Sequence, residues 1–281
     1  MRECVAMLIS VVVAGASLSA IMAGAWVWQR LVGNAGWVDV FWTFGTGTAG
    51  VFAALSPFLP EDAPAGRRYL VAAMAAAWSF RLGLHLALRA ARGPEDARYA
   101  AFRAEWGASF QRRIFWFLQI QALAAALLAG AMLLAARNPA PLSPRDWVAV
   151  AIMAVAVIGE GTADAQLRRF KARQANRGRV CDIGLWGWSR HPNYFFEWLG
   201  WVSYAVMATD MSGKYLIGWL AFAAPAFMYW LLVHVSGIPP LEAQMLKGAR
   251  AAAYRAYRAR TSPFFPLPPR SHAPEHRPAP S

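Results

Sequence analysis

The sequence predicts an all-α polytopic membrane protein of about seven transmembrane helices, with its N-terminus outside and its C-terminus cytoplasmic. Three observations predict it. Apolar residues make up 58% of the 281 positions, with 14 Trp and 16 Phe, whereas a soluble domain carries about 45–50%. Apolar runs near the ~20 residues of a bilayer crossing recur along the chain. Finally, 21 of the 28 Lys and Arg fall in the odd-numbered loops and the C-terminal tail, against 6 in the N-terminus and even-numbered loops. Such an excess marks the cytoplasmic side.

The spans lie at roughly 5–28, 36–59, 69–88, 114–136, 147–167, 194–209 and 215–236. They form one membrane domain over 1–267, and the Pro-rich end, 268–281, is a disordered tail. The first run, "MRECVAMLISVVVAGASLSA", has the small-residue end of a signal peptide, but its apolar character continues through Ile21–Trp28. That length predicts a retained helix.

Span two opens on "GWVDVFW", which puts Asp39 near its start, and continues as "FGTGTAG". Gly45, Gly47 and Gly50 read as close-packing positions. They are not a dinucleotide fingerprint, because no strand–helix unit surrounds them. Span three, "WSFRLGLHLALRA", sets Arg81, His85 and Arg89 at i, i+4 and i+8, one stripe on one face. Span four, 114–136, carries no ionisable residue. Span five ends in "IGEGTADAQLRRFK", with Glu160 and Asp164 at i, i+4, then Gln166 and Arg168. Span six begins at "SRHPNYFFEW", with Asn193 and Glu197 at i, i+4. Span seven carries His234. The numerous Trp at span ends are interfacial belt residues.

Ionisable groups within spans are costly and face a protein interior or a wet cavity. Here they gather toward the side that the basic loops mark as cytoplasmic. That pattern predicts a polar cavity open to the cytoplasm. The net charge of +13 therefore reads first as topology, and second as a platform for anionic lipid or a phosphorylated cofactor. It does not indicate nucleic acid. Cys4 and Cys181 fall on opposite sides of the bilayer and cannot pair. No CxxC or CxxCH is present, and no metal site is expected.

The start of span six has a specific chemistry. Pro192 suits a first helical turn, and the amides that follow favour acceptor groups. Asn193 offers a donor and an acceptor, while an ionised Glu197 offers acceptors only. Together they match a carboxamide, such as that of nicotinamide. Arg190 and His191 stand just outside, where a phosphate would lie.

"GEGTADAQLRRFK", "GLWGWSRHPNYFFEWLGW", "SGIPPLEAQMLKGARAAAYRAYRARTSPFFP" and "WSFRLGLHLALRAARGPEDARY" together resemble the bacterial membrane proteins similar to steroid 5-alpha-reductases. These are recorded as a domain of unknown function of the 3-oxo-5-alpha-steroid 4-dehydrogenase type. The resemblance covers about residues 36–267. The RHPNY element is shared with isoprenylcysteine carboxyl methyltransferases and phospholipid methyltransferases, which bind S-adenosylmethionine.

The resemblance implies a seven-helix fold holding NADPH at the cytoplasmic side of the bacterial inner membrane. Asn193 and Glu197 take the positions that hold the nicotinamide amide, and Asp164 the acidic role on the preceding helix. Glu160 stands where the family has an Asn. Arg168, Arg169, Lys171 and Arg179 are phosphate candidates, which favours NADPH over NADH. Tyr254, Arg255 and Tyr257 fall where the family closes over the adenine half.

The implied reaction reduces a carbon–carbon double bond conjugated to a carbonyl, in a steroid-, isoprenoid- or lipid-like substrate taken from the bilayer. In the family, a Glu–Tyr pair on spans two and three polarises that carbonyl. Here span two offers Asp39, beside Trp37 and Trp42, and span three offers Arg81 and His85 in place of a Tyr. The cofactor half thus matches better than the catalytic half. The alternatives are an S-adenosylmethionine-dependent methyltransferase on the same scaffold, weakened by a single Glu242 where those relatives pair two Glu, and a non-catalytic lipid-binding or transport protein. The sequence leaves the oligomeric state open.

Overall fold

The computed structural model describes residues 2–56 and 63–270, with side chains from residue 12 onward. Most of the tail, the end of predicted span two and the Cys4 side chain lie outside the described residues. The regular elements among them are helical. In chain order they are α1 Arg2–Val32, α2 Trp37–Leu55, α3 Ala65–Arg92, α4 Ala97–Trp106, α5 Phe110–Ala136, α6 Pro144–Ala172, α7 Leu185–Trp188, α8 Pro192–Ala208, α9 Ala223–Trp230, α10 Ile238–Lys247 and α11 Ala251–Arg260. A 3₁₀ stretch, Leu216–Phe222, leads into α9, and a π-helical turn, Leu231–Val235, follows it.

Among the described residues, six helical stretches are long and apolar enough to cross a membrane, where the sequence predicts about seven. The difference is α8. Its 17 residues reach about 25 Å, short of the ~30 Å hydrocarbon core. Predicted span seven is also not one regular α-helix, since it begins with the 3₁₀ stretch Leu216–Phe222 and ends in the π turn Leu231–Val235.

The described chain forms two compact units, Met1–Ala154 with Leu199–Phe227, and Val155–Trp198 with Met228–Ser281. In the first, α2 packs chiefly on α3, and α1 and α2 pack on α5. The span-two glycines act as the sequence predicts. A Cβ on Gly47 would stand 2.2 Å from the Ser79 Cβ, and one on Gly50 would stand 1.9 Å from the Met132 sulfur. Only glycine lets these helices approach so closely. The Ser79 hydroxyl then donates to the Thr43 carbonyl at 3.1 Å, stitching α3 to α2. Helix α1 joins α5 through Ser19 Oγ donating to Gln119 Oε1 (2.6 Å) and Gln29 Nε2 donating to Gln111 Oε1 (2.8 Å).

One end of this unit is closed by a cluster the sequence does not announce. Arg67 is fully buried and donates from Nε and Nη2 to the two oxygens of Asp146, at 2.7 and 3.0 Å. Its remaining donors serve the carbonyls of Asn138, Ala140 and Pro141. Asn138 in turn donates to the carbonyls of Met207, Ala208 and Thr209. Those carbonyls at the end of α8 have no intrahelical partner.

In the second unit, the last turns of α6 carry the α7–α8 junction. Leu185 N donates to Gln166 Oε1 at 3.0 Å, and Trp186 Nε1 donates to the Ala163 carbonyl at 2.9 Å. Gly184, at φ +56°, makes the turn that allows both. The C-terminal segment returns along this junction. Arg190 N donates to Ser262 O (2.8 Å) and Leu267 N to Trp188 O (3.0 Å). Phe264 and Phe265 enter an aromatic cluster with Phe195, Trp198 and Tyr229.

Candidate functional site

The predicted site residues fall into two groups, one in each unit. In the first unit, Asp39 lies in the first turn of α2. Its Oδ2 accepts from Arg98 Nη2 at 2.6 Å, its Oδ1 accepts from the Tyr99 hydroxyl at 2.8 Å, and Arg89 Nη2 stands 4.0 Å away. Asp96 caps α4 by accepting from Arg98 N, and also takes Arg98 Nε (3.0 Å) and Arg89 Nη2 (2.9 Å). Burial pushes the Asp96 carboxyl up, but Arg98 and Arg89 together outweigh it and hold its pKa below the usual value. Arg81, His85 and Arg89 lie on the unbroken α3 as the stripe requires, and Arg81 and His85 are half-buried. Sequence reasoning missed Arg98 and Tyr99. The one signal available was the Asp-Ala-Arg-Tyr run just after α3.

In the second unit, α8 begins at Pro192, with Asn193 half-buried and Glu197 buried one turn inside. Helix α6 brings Glu160 and Asp164, both buried. The two helices touch directly. A Cβ on Gly159 would stand 2.4 Å from the ring of Phe196. Glu160 and Glu197 are the next residues along their helices, and both are buried.

Glu242, on α10, is the centre of a second buried cluster. Its Oε1 accepts from Arg190 Nε at 2.7 Å and from the Tyr254 hydroxyl at 3.1 Å, with His191 Nε2 at 3.4 Å. Its Oε2 lies 3.4 Å from Arg258 Nε. Arg190 Nη1 donates onward to the carbonyls of Arg258 (3.1 Å) and Thr261 (2.6 Å). Arg190 and His191 therefore do not stand free at the helix mouth, as the sequence suggested. Both are buried and turned inward, because Glu242 supplies the charge partner that a buried guanidinium requires. Burial, opposed by Glu242, lowers the His191 pKa from its ordinary value.

Tyr254 and Tyr257 are also buried. The Tyr257 hydroxyl donates to the carbonyls of Trp186 and, at 3.3 Å, Ser189. Burial first, then the nearby Glu242 charge, pushes the Tyr254 phenol well up. By contrast Arg168, Arg169, Lys171, Arg179 and Arg255 are exposed. Among the described residues, no group of three or more His, Cys, Asp or Glu is arranged to hold a metal ion.

The family model described as a protein of unknown function, DUF1295, matches residues 25–261. The chain belongs to this family. The matched DUF1295 region runs from within α1 through α11 and takes in every site residue named above. An uncharacterized protein of Schizosaccharomyces pombe, C594.04c, is similar to the chain: 27% identical over 287 aligned positions, which cover 91% of this chain and 78% of the yeast protein. No solved structure matches. Within the DUF1295 match, Glu242 is the residue that sequence reasoning undervalued. It read as a weak methyltransferase signal, yet it gathers two predicted site residues from the start of α8 and one from α11.

Proposed function

We propose that the protein is a membrane-embedded, NADPH-dependent reductase of an activated carbon–carbon double bond in a lipophilic substrate of steroid, isoprenoid or lipid type. The observation that carries the reading is the Gly159–Phe196 contact. It packs α6 on α8 one residue before Glu160 and one residue before Glu197, both buried, in the unit that also holds every residue expected to bind the cofactor. A buried acid one turn inside the α8 mouth, in a unit that also carries exposed arginines, suits a ligand that has an amide at one end and phosphates at the other.

The residues present fit NADPH in part. Asn193 and Glu197 would hold the nicotinamide amide, with Glu160 and Asp164 behind them. Arg168, Arg169, Lys171, Arg179 and Arg255 would meet the phosphates. Arg190, His191, Tyr254 and Tyr257 are committed to internal bonds, so in this reading they shape the mouth. When bound, the cofactor supplies a hydride. On the chain's own side, Tyr99 is the proton-bearing partner of Asp39. That pair matches the carboxylate–tyrosine pair of the steroid-reductase resemblance in chemistry but not in position, because Tyr99 lies on α4, and Arg81 and His85 are the candidates on α3. Under the positive-inside rule, the exposed arginines of the second unit face the cytoplasm. The protein is then an integral protein of the bacterial inner membrane.

The test is a titration of purified protein in detergent, NADPH against S-adenosylmethionine. NADPH is expected to bind at low micromolar concentration or tighter, and Glu197→Ala to abolish binding. Tight S-adenosylmethionine binding with no NADPH response overturns the reading in favour of a methyltransferase.

A further inference from the structure

We infer that Glu242 is a positioning residue that sets the start of α8, and through it the groups Asn193 and Glu197 present. This rests on the reductase reading for the ligand, but not for the geometry. One carboxylate gathers side chains from two places: Arg190 and His191 just before α8, and Tyr254 and Arg258 on α11.

The route from Glu242 to the site is short. Arg190 is held at both ends, by the Glu242 carboxylate on Nε and by the Arg258 and Thr261 carbonyls on Nη1. Its own amide donates to Ser262 O. His191 follows, its ring beside Glu242 and stacked on Tyr194, with ring centroids 5.5 Å apart. The His191 amide donates to Ser189 Oγ, and the Ser189 hydroxyl donates to Phe264 O. The His191 carbonyl then accepts from Phe195 N, the first turn of α8. Asn193 is two residues beyond His191, and Glu197 one turn further. A helix whose first carbonyl and preceding side chains are fixed from outside has a fixed azimuth, so Asn193 and Glu197 cannot rotate independently of Glu242.

The charge matters as well as the shape. A glutamine at 242 can still accept from Arg190 and Tyr254. It leaves the buried Arg190 guanidinium without a counter-charge and turns an NH₂ toward one of its cationic neighbours. Buried charges deprived of their partner reorganise rather than stay in place.

The experiment uses the full chain in detergent and compares wild type with Glu242→Gln and the milder Tyr254→Phe. It reads NADPH affinity, hydrogen exchange of peptides covering 190–197, and exchange of peptides covering 155–163 on α6. Glu242→Gln is expected to weaken NADPH about tenfold or more, and to speed exchange over 190–197 while α6 stays unchanged. Tyr254→Phe is expected to move both readouts the same way by a smaller factor. A Glu242→Gln protein with wild-type affinity and wild-type exchange over 190–197 overturns the inference. So does uniform acceleration in both regions, which marks a general stability role. If Glu242→Gln does not fold, Tyr254→Phe decides by the same criteria. If wild type binds no NADPH, the reductase reading fails, and the exchange comparison alone still decides the role of Glu242.

Discussion

The ring of Phe196 lies on Gly159 so closely that a Cβ there would stand 2.4 Å from two ring carbons. Gly159→Ala gains helix propensity of at most about 1 kcal/mol but forces the ring aside, and overpacking of this kind costs about 1–3 kcal/mol. The expected outcome is a lower melting midpoint in detergent and weaker NADPH binding. Phe196→Ala in the Gly159→Ala background is expected to restore part of the stability, so the double-mutant cycle is non-additive. Additive effects would mean that the two residues do not meet.

The Arg67–Asp146 pair is buried at both partners. Asp146→Leu alone strands a buried guanidinium and is expected to cost about 3–5 kcal/mol. Adding Arg67→Met removes the stranded charge but recovers only part, because Arg67 also satisfies the Asn138, Ala140 and Pro141 carbonyls. Denaturation midpoints of the two single variants and the double check this order.

Tyr99 and Asp39 separate structure from chemistry. Tyr99→Phe removes one hydrogen bond to Asp39, a stability loss of about 1 kcal/mol. If the pair serves the proposed reaction, turnover of an accepted substrate falls at least about tenfold while NADPH affinity stays within about twofold. Unchanged turnover in both Tyr99→Phe and Asp39→Asn removes the pair from the mechanism and leaves His85 and Arg81.

The pH dependence follows from His191. Burial lowers its folded pKa below the unfolded value near 6.5, although Glu242 acts in the opposite sense. The unfolded state therefore takes up the proton first as pH falls. This cost is absent well above pH 6.5, grows as pH drops through it, and levels off once the folded group also titrates. Melting curves between pH 8 and pH 5.5 are expected to show a decline that His191→Gln reduces. An identical slope in the variant assigns the decline to other groups.

The sequence reveals what depends on neighbours along the helix and conceals what depends on distant partners. The i, i+4 pairs Glu160–Asp164 and Asn193–Glu197, and the α3 stripe, need only helical periodicity, and each lies on a continuous helix. The close-packing glycines of α2 are legible for the same reason. Asp39 was visible, but its partner Arg98 is 59 positions away. Arg190 was placed at the mouth, but its orientation depends on Glu242, 52 positions on. Arg67 looked like an ordinary loop charge because Asp146 is 79 positions away. The shortness of α8 was legible as well, since predicted span six covers only 194–209 and the polar run Thr209–Lys214 follows it.

Ser189 donates its hydroxyl to the carbonyl of Phe264, 75 positions later. A ribosome that has just finished α8 has not yet made the segment that closes against it. All six apolar stretches end by Lys247, so membrane insertion can be complete while this clasp is still missing. A stop codon between positions 248 and 262 is thus a distinct kind of lesion. It yields a chain with its apolar stretches intact, whose α8 mouth keeps Glu242 but lacks the Ser189–Phe264 clasp.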